Sequence, residues 1–288
     1  MSEKPPSDVP LPYADRPVAT APGHWVLARA GKRVLRPGGA ALTAAMLDHA
    51  RLPGSDVVEL APGLGRTAAE IVAARPASYT AIDRDPQAAA RVAAVVGDRG
   101  VVRQGEAADT GLDDACADVV VGEAMLTMQG DKSKAAIVAE AARVLRPGGR
   151  YAIHELGVAP DDIDEEYYTQ LRRDLARAIH VNARPMTAAA WRGLLEDAGL
   201  VVDWVDTAPM ALLKMSRNLR DEGPGGAARI MWNVMRDKAL RARVMEMRRT
   251  FTRYEKDMVG IALVARKPEA GSEAAPEEAG AEGSSPEA

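Results

Sequence analysis

The chain has 288 residues, 47% hydrophobic and 27% charged, enough to bury a full core as one domain with additions. Its formal charge is −4, but six of the acids lie in a tail from Pro268 that holds no basic residue. The remainder therefore carries +2, a near-neutral balance that argues against a dedicated nucleic-acid surface. Cys116 is the single cysteine and the four histidines (His24, His49, His154, His180) show no short ligand spacing, which excludes an intrachain disulfide and offers no metal site.

Residues 1–22 and 268–288 are rich in Pro, Gly, Ala, Ser and Glu and are predicted to be disordered tails, the second one acidic. No apolar run reaches the ~20 residues of a membrane span and the first tail lacks a signal-peptide core, so the expected location is the cytoplasm, without stable membrane insertion. A helical N-terminal cap is expected over 23–52. It starts with a helix over 24–35 that Arg36-Pro37-Gly38-Gly39 stops, and continues with a helix over 40–50 that sets Leu42, Ala45, Met46 and His49 on one side.

From Asp56 onward short strands and helices alternate: strand 56–60, helix 66–74, strand 78–83, helix 86–96, strands 101–104 and 118–122, helix 132–145, strand 150–155. This alternation is the signature of a parallel α/β sheet. Arg146-Pro147-Gly148-Gly149 is expected to turn the chain tightly into the strand at Tyr151. Beyond Pro160 a helix opens on Asp161, Asp162, Asp164, Glu165 and Glu166 and closes on Arg172, Arg173 and Arg177, which suits the helix dipole at both ends. A further helix starts behind Thr187 as N-cap and runs to Gly199, followed by a strand over 200–207. Residues 209–253 read as a helical insert rich in methionine, and a strand over 259–265 closes a folded unit of 53–267.

Within this pattern the stretch 57–68 stands out as a strand, a tight glycine loop and a helix start. Such a loop presents backbone N–H groups and a helix N-terminus to a polar ligand. Gly63-x-Gly65-x-x-Ala68, followed by Asp83, fits the dinucleotide fingerprint as well, so the motif alone is ambiguous. Three further features accompany it: Glu59 at the strand end, Gly105-Glu106-Ala107 after the third strand, and the run from Val144 to Arg150 into the fifth. In combination these resemble class I S-adenosylmethionine-dependent methyltransferases, over residues 40–160 well and more loosely to 266.

The resemblance implies a Rossmann-like seven-stranded sheet with helices on both faces, and S-adenosyl-L-methionine as cofactor. It implies Glu59 near the loop that receives the methionine end, Ala61, Pro62, Gly63 and Gly65 as the backbone cradle, and Asp83, with Arg84 next to it, on the ribose hydroxyls. Glu106 and Ala107 would hold the adenine, and Glu123 would sit beside the cofactor. One departure is Ala61, which stands where the family usually has its first glycine. The Arg36–Gly39 block and the long insert are similar to the ubiquinone/menaquinone-biosynthesis-like group.

A sulfonium methyl is already a strong electrophile, so its transfer needs an in-line nucleophile more than a catalytic triad. If the nucleophile must lose a proton, His154, Glu155 and Glu123 are the candidate bases. The insert methionines with Trp232 and Phe251 suggest a small, apolar or lipid-like acceptor, with the N-terminal helices (24–50) and the insert (209–253) together expected to cover the site and form the acceptor pocket. A homodimer is compatible with this reading, and nucleic acid is not an expected partner. Two other classes remain: a cofactor-binding protein without turnover, and a nicotinamide-dependent oxidoreductase, which lacks here the Tyr-x-x-x-Lys pair after the fourth strand.

Overall fold

The computed structural model of the chain describes residues 15–210, 212–213 and 215–269. Seven strands form one sheet: β1 (Asp56–Leu60), β2 (Ser78–Asp83), β3 (Val101–Gln104), β4 (Ala117–Glu123), β5 (Leu145–Val158), β6 (Val201–Pro209) and β7 (Met258–Arg266). Their order is β3-β2-β1-β4-β5-β7-β6, with β1 to β5 mutually parallel and β7 antiparallel to both its neighbours. The order reverses between β1 and β4, and in open α/β sheets the crevice beyond the strand C-termini at such a switch is where ligands bind.

Side chains alternate across the strands with period two. Val57, Val119, Val121, Ala152 and Val264 face one core with α2 (Ala40–Ala50), α3 (Arg66–Ala73) and α4 (Pro86–Val96). Val58, Leu60, Val120, Ile153 and Leu263 face the other, with α5 (Asp131–Val144) and α7 (Ala188–Glu196). Strands buried on both faces explain the unbroken Val/Ile/Leu runs of the central sheet. Caps mark the helix starts. Asp85 accepts from the N–H of Gln87 and Ala88 ahead of α4, and Thr187 accepts from the N–H of Ala190 ahead of α7, as its sequence position predicts.

Several boundaries differ from expectation. The first helix, α1, covers only Gly23–Arg29, because Gly31 takes a φ of 99° and turns the chain out of helical geometry. Residues 15–22 are not wholly tail: Val18–Thr20 makes a 3-10 turn against α9 (Lys238–Arg253), and Ala21 is buried. The rest of the predicted tails, 1–14 and 270–288, lies outside the described residues. The Arg146–Gly149 turn falls inside β5 as an irregularity, with pairing begun at Leu145 and shifted in register after it. Asp161 and Asp162 precede the next helix, α6 (Glu165–Ile179), for which Asp164 is the cap.

The insert is two helices, α8 (Met215–Arg236) and α9. A break at Gly223 (φ 70°) divides α8, with Pro224 starting its second half. α9 packs on α1, α6 and α8, while α2 belongs to the sheet, packing on β5, β6 and β7. The chain between α1 and α2 is pressed onto β7 so closely that a Cβ on Gly260 would lie 2.1 Å from the Gly38 nitrogen. Among the described residues no helix is long and apolar enough to cross a membrane.

Candidate functional site

β1 ends at Leu60 and the chain turns into α3 through three residues in left-handed conformation, Ala61 (φ 52°), Gly63 (φ 57°) and Gly65 (φ 73°). The Ala61 N–H donates to the Ile82 carbonyl at 2.8 Å, tying the loop to the end of β2. Asp83, the last residue of β2, accepts from the Gly63 N–H at 3.2 Å on one oxygen and from the Asp85 N–H at 2.9 Å on the other. Burial pushes the Asp83 carboxyl up, and these two hydrogen bonds oppose the rise.

The ends of four strands open into one cavity of about 540 Å³. Ala61, Pro62 and Gly63 line it after β1, Asp83 and Arg84 after β2, Gly105, Glu106 and Ala107 after β3, and Glu123 with Met125 at β4. Of the ten residues expected at the cofactor, eight are thus brought together. Glu59 and Gly65 are outside the lining. Gly65 faces α4 instead, where a Cβ would come 3.3 Å from Val95. Glu59 is 1% exposed and accepts from the Tyr79 hydroxyl at 2.5 Å; burial, partly offset by that bond, pushes its carboxyl up to about 8. It is a buried carboxyl behind the loop rather than a group at its surface.

Glu123 is the centre of a network that sequence reasoning missed. One of its oxygens accepts from the Thr43 hydroxyl and lies 3.0 Å from His154 Nδ1. The other accepts from the Thr67 hydroxyl and pairs with Arg36 Nε at 3.0 Å. Arg36, 3% exposed, also donates to Thr67 at 2.8 Å and pairs with Glu70 at 3.1 Å. Burial alone would raise the Glu123 carboxyl. The Arg36 guanidinium and the hydrogen bonds from His154 and Thr43 outweigh it and hold the group at about 2. Arg36 was read only as part of a helix stop, and Thr43, inside the helix over 40–50, was not singled out; a Thr beside an apolar stripe was the available signal.

His154 and Glu155, the candidate bases on β5, do not reach the cavity. Both are fully buried. The Gly38 N–H donates to His154 Nε2 at 3.2 Å, so that nitrogen carries a lone pair and Nδ1 carries the proton that Glu123 accepts. Glu155 accepts from the N–H of Met125, Leu126 and Thr127 and from the Thr127 hydroxyl, at 2.7–3.0 Å. It pins the turn after β4, and with four donors around it has no free direction toward a substrate.

The facing wall of the cavity comes from Pro22, His24, Trp25, Arg33 and Leu35, with Met128, Gln129, Ser133, Ile137 and Val181 beside them. His24 is partly buried, with its Nδ1 shut off from solvent and without a partner among the described residues; burial lowers its pKa to about 4, which keeps the ring neutral. Among the described residues, none of the insert lines the cavity. Trp232 and Met235 of α8 are 60% and 63% exposed. The insert instead holds the wall from behind: Glu222 accepts from the N–H of Arg33 at 2.7 Å and of Val34 at 2.8 Å, Arg229 donates to the Gly31 carbonyl and Asn233 to that of Ala30. Of the two segments expected to cover the site, the N-terminal one lines the cavity, through residues of 22–36, and the insert buttresses it.

The cavity suits a polar molecule of nucleoside size, with a carboxylate at one strand end, a backbone cradle beside it and an apolar strip of Ile82 and Ala107. Residues 58–153 match a family described as a methyltransferase domain. An uncharacterized protein of Haemophilus influenzae is 29% identical over 251 residues, covering 85% of this chain and 98% of that one. Among solved structures, the 4+2 cyclase SpnF aligns with 92% of this chain and all of its own at 17% identity and a TM-score of 0.63. Phosphoethanolamine N-methyltransferase 2 of Haemonchus contortus, in complex with S-adenosyl-L-methionine, aligns with 90% of this chain and 60% of its own at 14% identity and a TM-score of 0.66. At these identities the structural likeness is one of fold.

Proposed function

We propose, from the methyltransferase domain matched over residues 58–153, that the chain is a class I S-adenosylmethionine-dependent methyltransferase acting on a small molecule held against the 22–36 wall. The observation that carries this is one cavity lined both by Asp83 and Glu106 and by Trp25 and Met128. Donor and acceptor would share one chamber. In this reading Asp83 accepts from the ribose hydroxyls, the Ala61–Gly63 backbone cradles the amino-acid end, Glu106 and Ala107 take the adenine, and Arg84 lies at the rim.

Bound S-adenosylmethionine supplies an electrophilic methyl group on a sulfonium. The chain's own residues orient and enclose. Glu123 is held as an anion by Arg36 with both oxygens engaged, so it is a poor proton acceptor and a good fixed negative charge beside a cationic donor. Trp25, Leu35, Met125, Met128, Ile137 and Val181 keep water from the reacting end and favour an acceptor with an apolar body.

Calorimetry with S-adenosylhomocysteine, followed by label transfer from methyl-labelled S-adenosylmethionine into a small-molecule cell extract, tests the proposal. Asp83→Ala is expected to weaken homocysteine-product binding by about 1.5–3 kcal/mol, since it removes charge-assisted hydrogen bonds. Binding without any label transfer would turn the reading to a cofactor-binding protein.

A further inference from the structure

We infer that His24 and Arg33 form a subsite for a negatively charged oxygen group, a carboxylate or a phosphate, on the acceptor molecule; this rests on the methyl-transfer reading above. Both side chains line the cavity on the wall opposite the strand ends. Each is left unengaged there. The Arg33 backbone N–H is held by Glu222, but its guanidinium has no ion pair or hydrogen bond among the described residues. Of the other arginines lining the cavity, Arg36 is neutralised by Glu123 and Glu70 and Arg66 by Glu70, while Arg84 lies on the opposite side, after β2. An uncompensated guanidinium in a cavity wall is suited to bidentate recognition of a carboxylate or phosphate.

His24 points the same way. Its Nδ1 is closed to solvent with no partner. An N–H orphaned in such surroundings costs more than an orphaned lone pair, so the proton of the neutral ring belongs on Nε2, which makes this lining residue a hydrogen-bond donor. A donor imidazole and a guanidinium share one kind of ligand, an oxygen anion. The ring is held in place: a Cβ on Gly23 would lie 2.9 Å from both Ile179 Cβ and Met247 Sδ, so the start of α1 is wedged between α6 and α9, and Trp25 packs against the imidazole at 4.8 Å. Burial keeps the ring uncharged through the neutral range, so it adds no second positive charge next to a sulfonium.

The test uses the full chain with methyl-labelled S-adenosylmethionine and a small-molecule cell extract, the labelled products being passed over an anion exchanger at pH 7. The labelled product is expected to be retained. Arg33→Met and His24→Leu should each cut label transfer at limiting extract at least tenfold, with most of the rate recovered at saturating extract and in Arg33→Lys, while S-adenosylhomocysteine affinity stays within twofold. A neutral or cationic product, or unchanged transfer in both variants, overturns the subsite. A tenfold loss of S-adenosylhomocysteine affinity in Arg33→Met overturns it as well, assigning Arg33 to the donor's own carboxylate. If the wild-type chain transfers no label, the methyl-transfer reading itself fails. Inorganic phosphate titrated into the S-adenosylhomocysteine complex then decides the subsite alone: binding lost in Arg33→Met supports it, and no binding or equal binding overturns it.

Discussion

The two walls of the cavity are built on different principles. The sheet wall holds its groups through neighbours in the same α/β unit: Asp83 by the N–H groups of Gly63 and Asp85, Glu59 by Tyr79 of the adjacent strand, Glu155 by the turn after β4. The cap wall, residues 22–36, has no strand beneath it and little regular structure after Arg29. Its backbone N–H groups are satisfied from the insert, by Glu222 at a separation of 189 residues from Arg33. A wall of the first kind is as rigid as the sheet, and one of the second kind is as rigid as the helices behind it. The comparison teaches that the two walls, proposed to serve donor and acceptor, can be altered separately, except where Arg36 ties them together.

That tie gives the largest expected effect. Arg36→Met leaves Glu123 buried without its counter-charge, and breaking a buried pair from one side costs about 3–5 kcal/mol. Urea unfolding should show this loss, and Arg36→Met combined with Glu123→Gln should recover much of it. A single variant as stable as the parent would mean that the two walls are not coupled through this pair.

The sheet wall carries its own pH dependence. The Glu59 carboxyl is raised to about 8 in the folded chain, by burial and against the Tyr79 hydrogen bond, from an unfolded value near that of a free glutamate. The folded state then holds the proton more tightly, so its contribution is fully present below about pH 4.5 and is lost as pH rises through 8. Glu123 has the opposite sign: depressed to about 2, it contributes above the unfolded value and is lost as pH falls toward 2. Unfolding free energies at pH 5 and pH 9 should therefore differ in the parent by a few kcal/mol, and the difference should shrink in Glu59→Gln. An identical slope in that variant would place the titration elsewhere.

A smaller effect isolates the cap wall. Glu222→Ala removes two charge-assisted acceptors from the Arg33 and Val34 N–H groups, worth about 1.5 kcal/mol. Methyl transfer into extract should fall while S-adenosylhomocysteine affinity holds. If affinity falls with it, the cap wall serves the donor as much as the acceptor. The smallest effect belongs to the loop: Ala61→Gly relieves a left-handed alanine that costs roughly 1–2 kcal/mol, less the greater unfolded-state freedom of glycine, for a net gain of about 0.5 kcal/mol seen as a raised Tm. A lowered Tm would show that the Ala61 methyl has a packing role.

Much of the sheet wall was legible because its signals are local. Alternation of apolar strands and helices, the glycines of 61–65, the cap at Thr187 and an acid at the end of β2 all depend on residues within a few positions of one another, where backbone sterics and hydrogen-bond reach act directly. The same locality explains the misplaced ends, since Gly31 stops α1 before the predicted Leu35 and Asp164 caps α6 past the first two of the predicted acids.

The sequence by itself thus determined the order of strands and helices, the glycine loop after β1, and the carboxylate of Asp83 beside it. Tertiary structure alone decided which charges meet. Arg36 reads as a helix-stop residue, Thr43 as one position in a helix, and Glu123 as a strand end, and only the order β1-β4-β5, with β7 pressed on the Gly38 turn, brings them into one buried network. It also sent His154 and Glu155 inward and left the insert outside the cavity it was expected to form. The physical reason is that burial and pairing depend on contacts between segments far apart in the chain, and those are set by the sheet's topology rather than by the spacing of residues along any one segment.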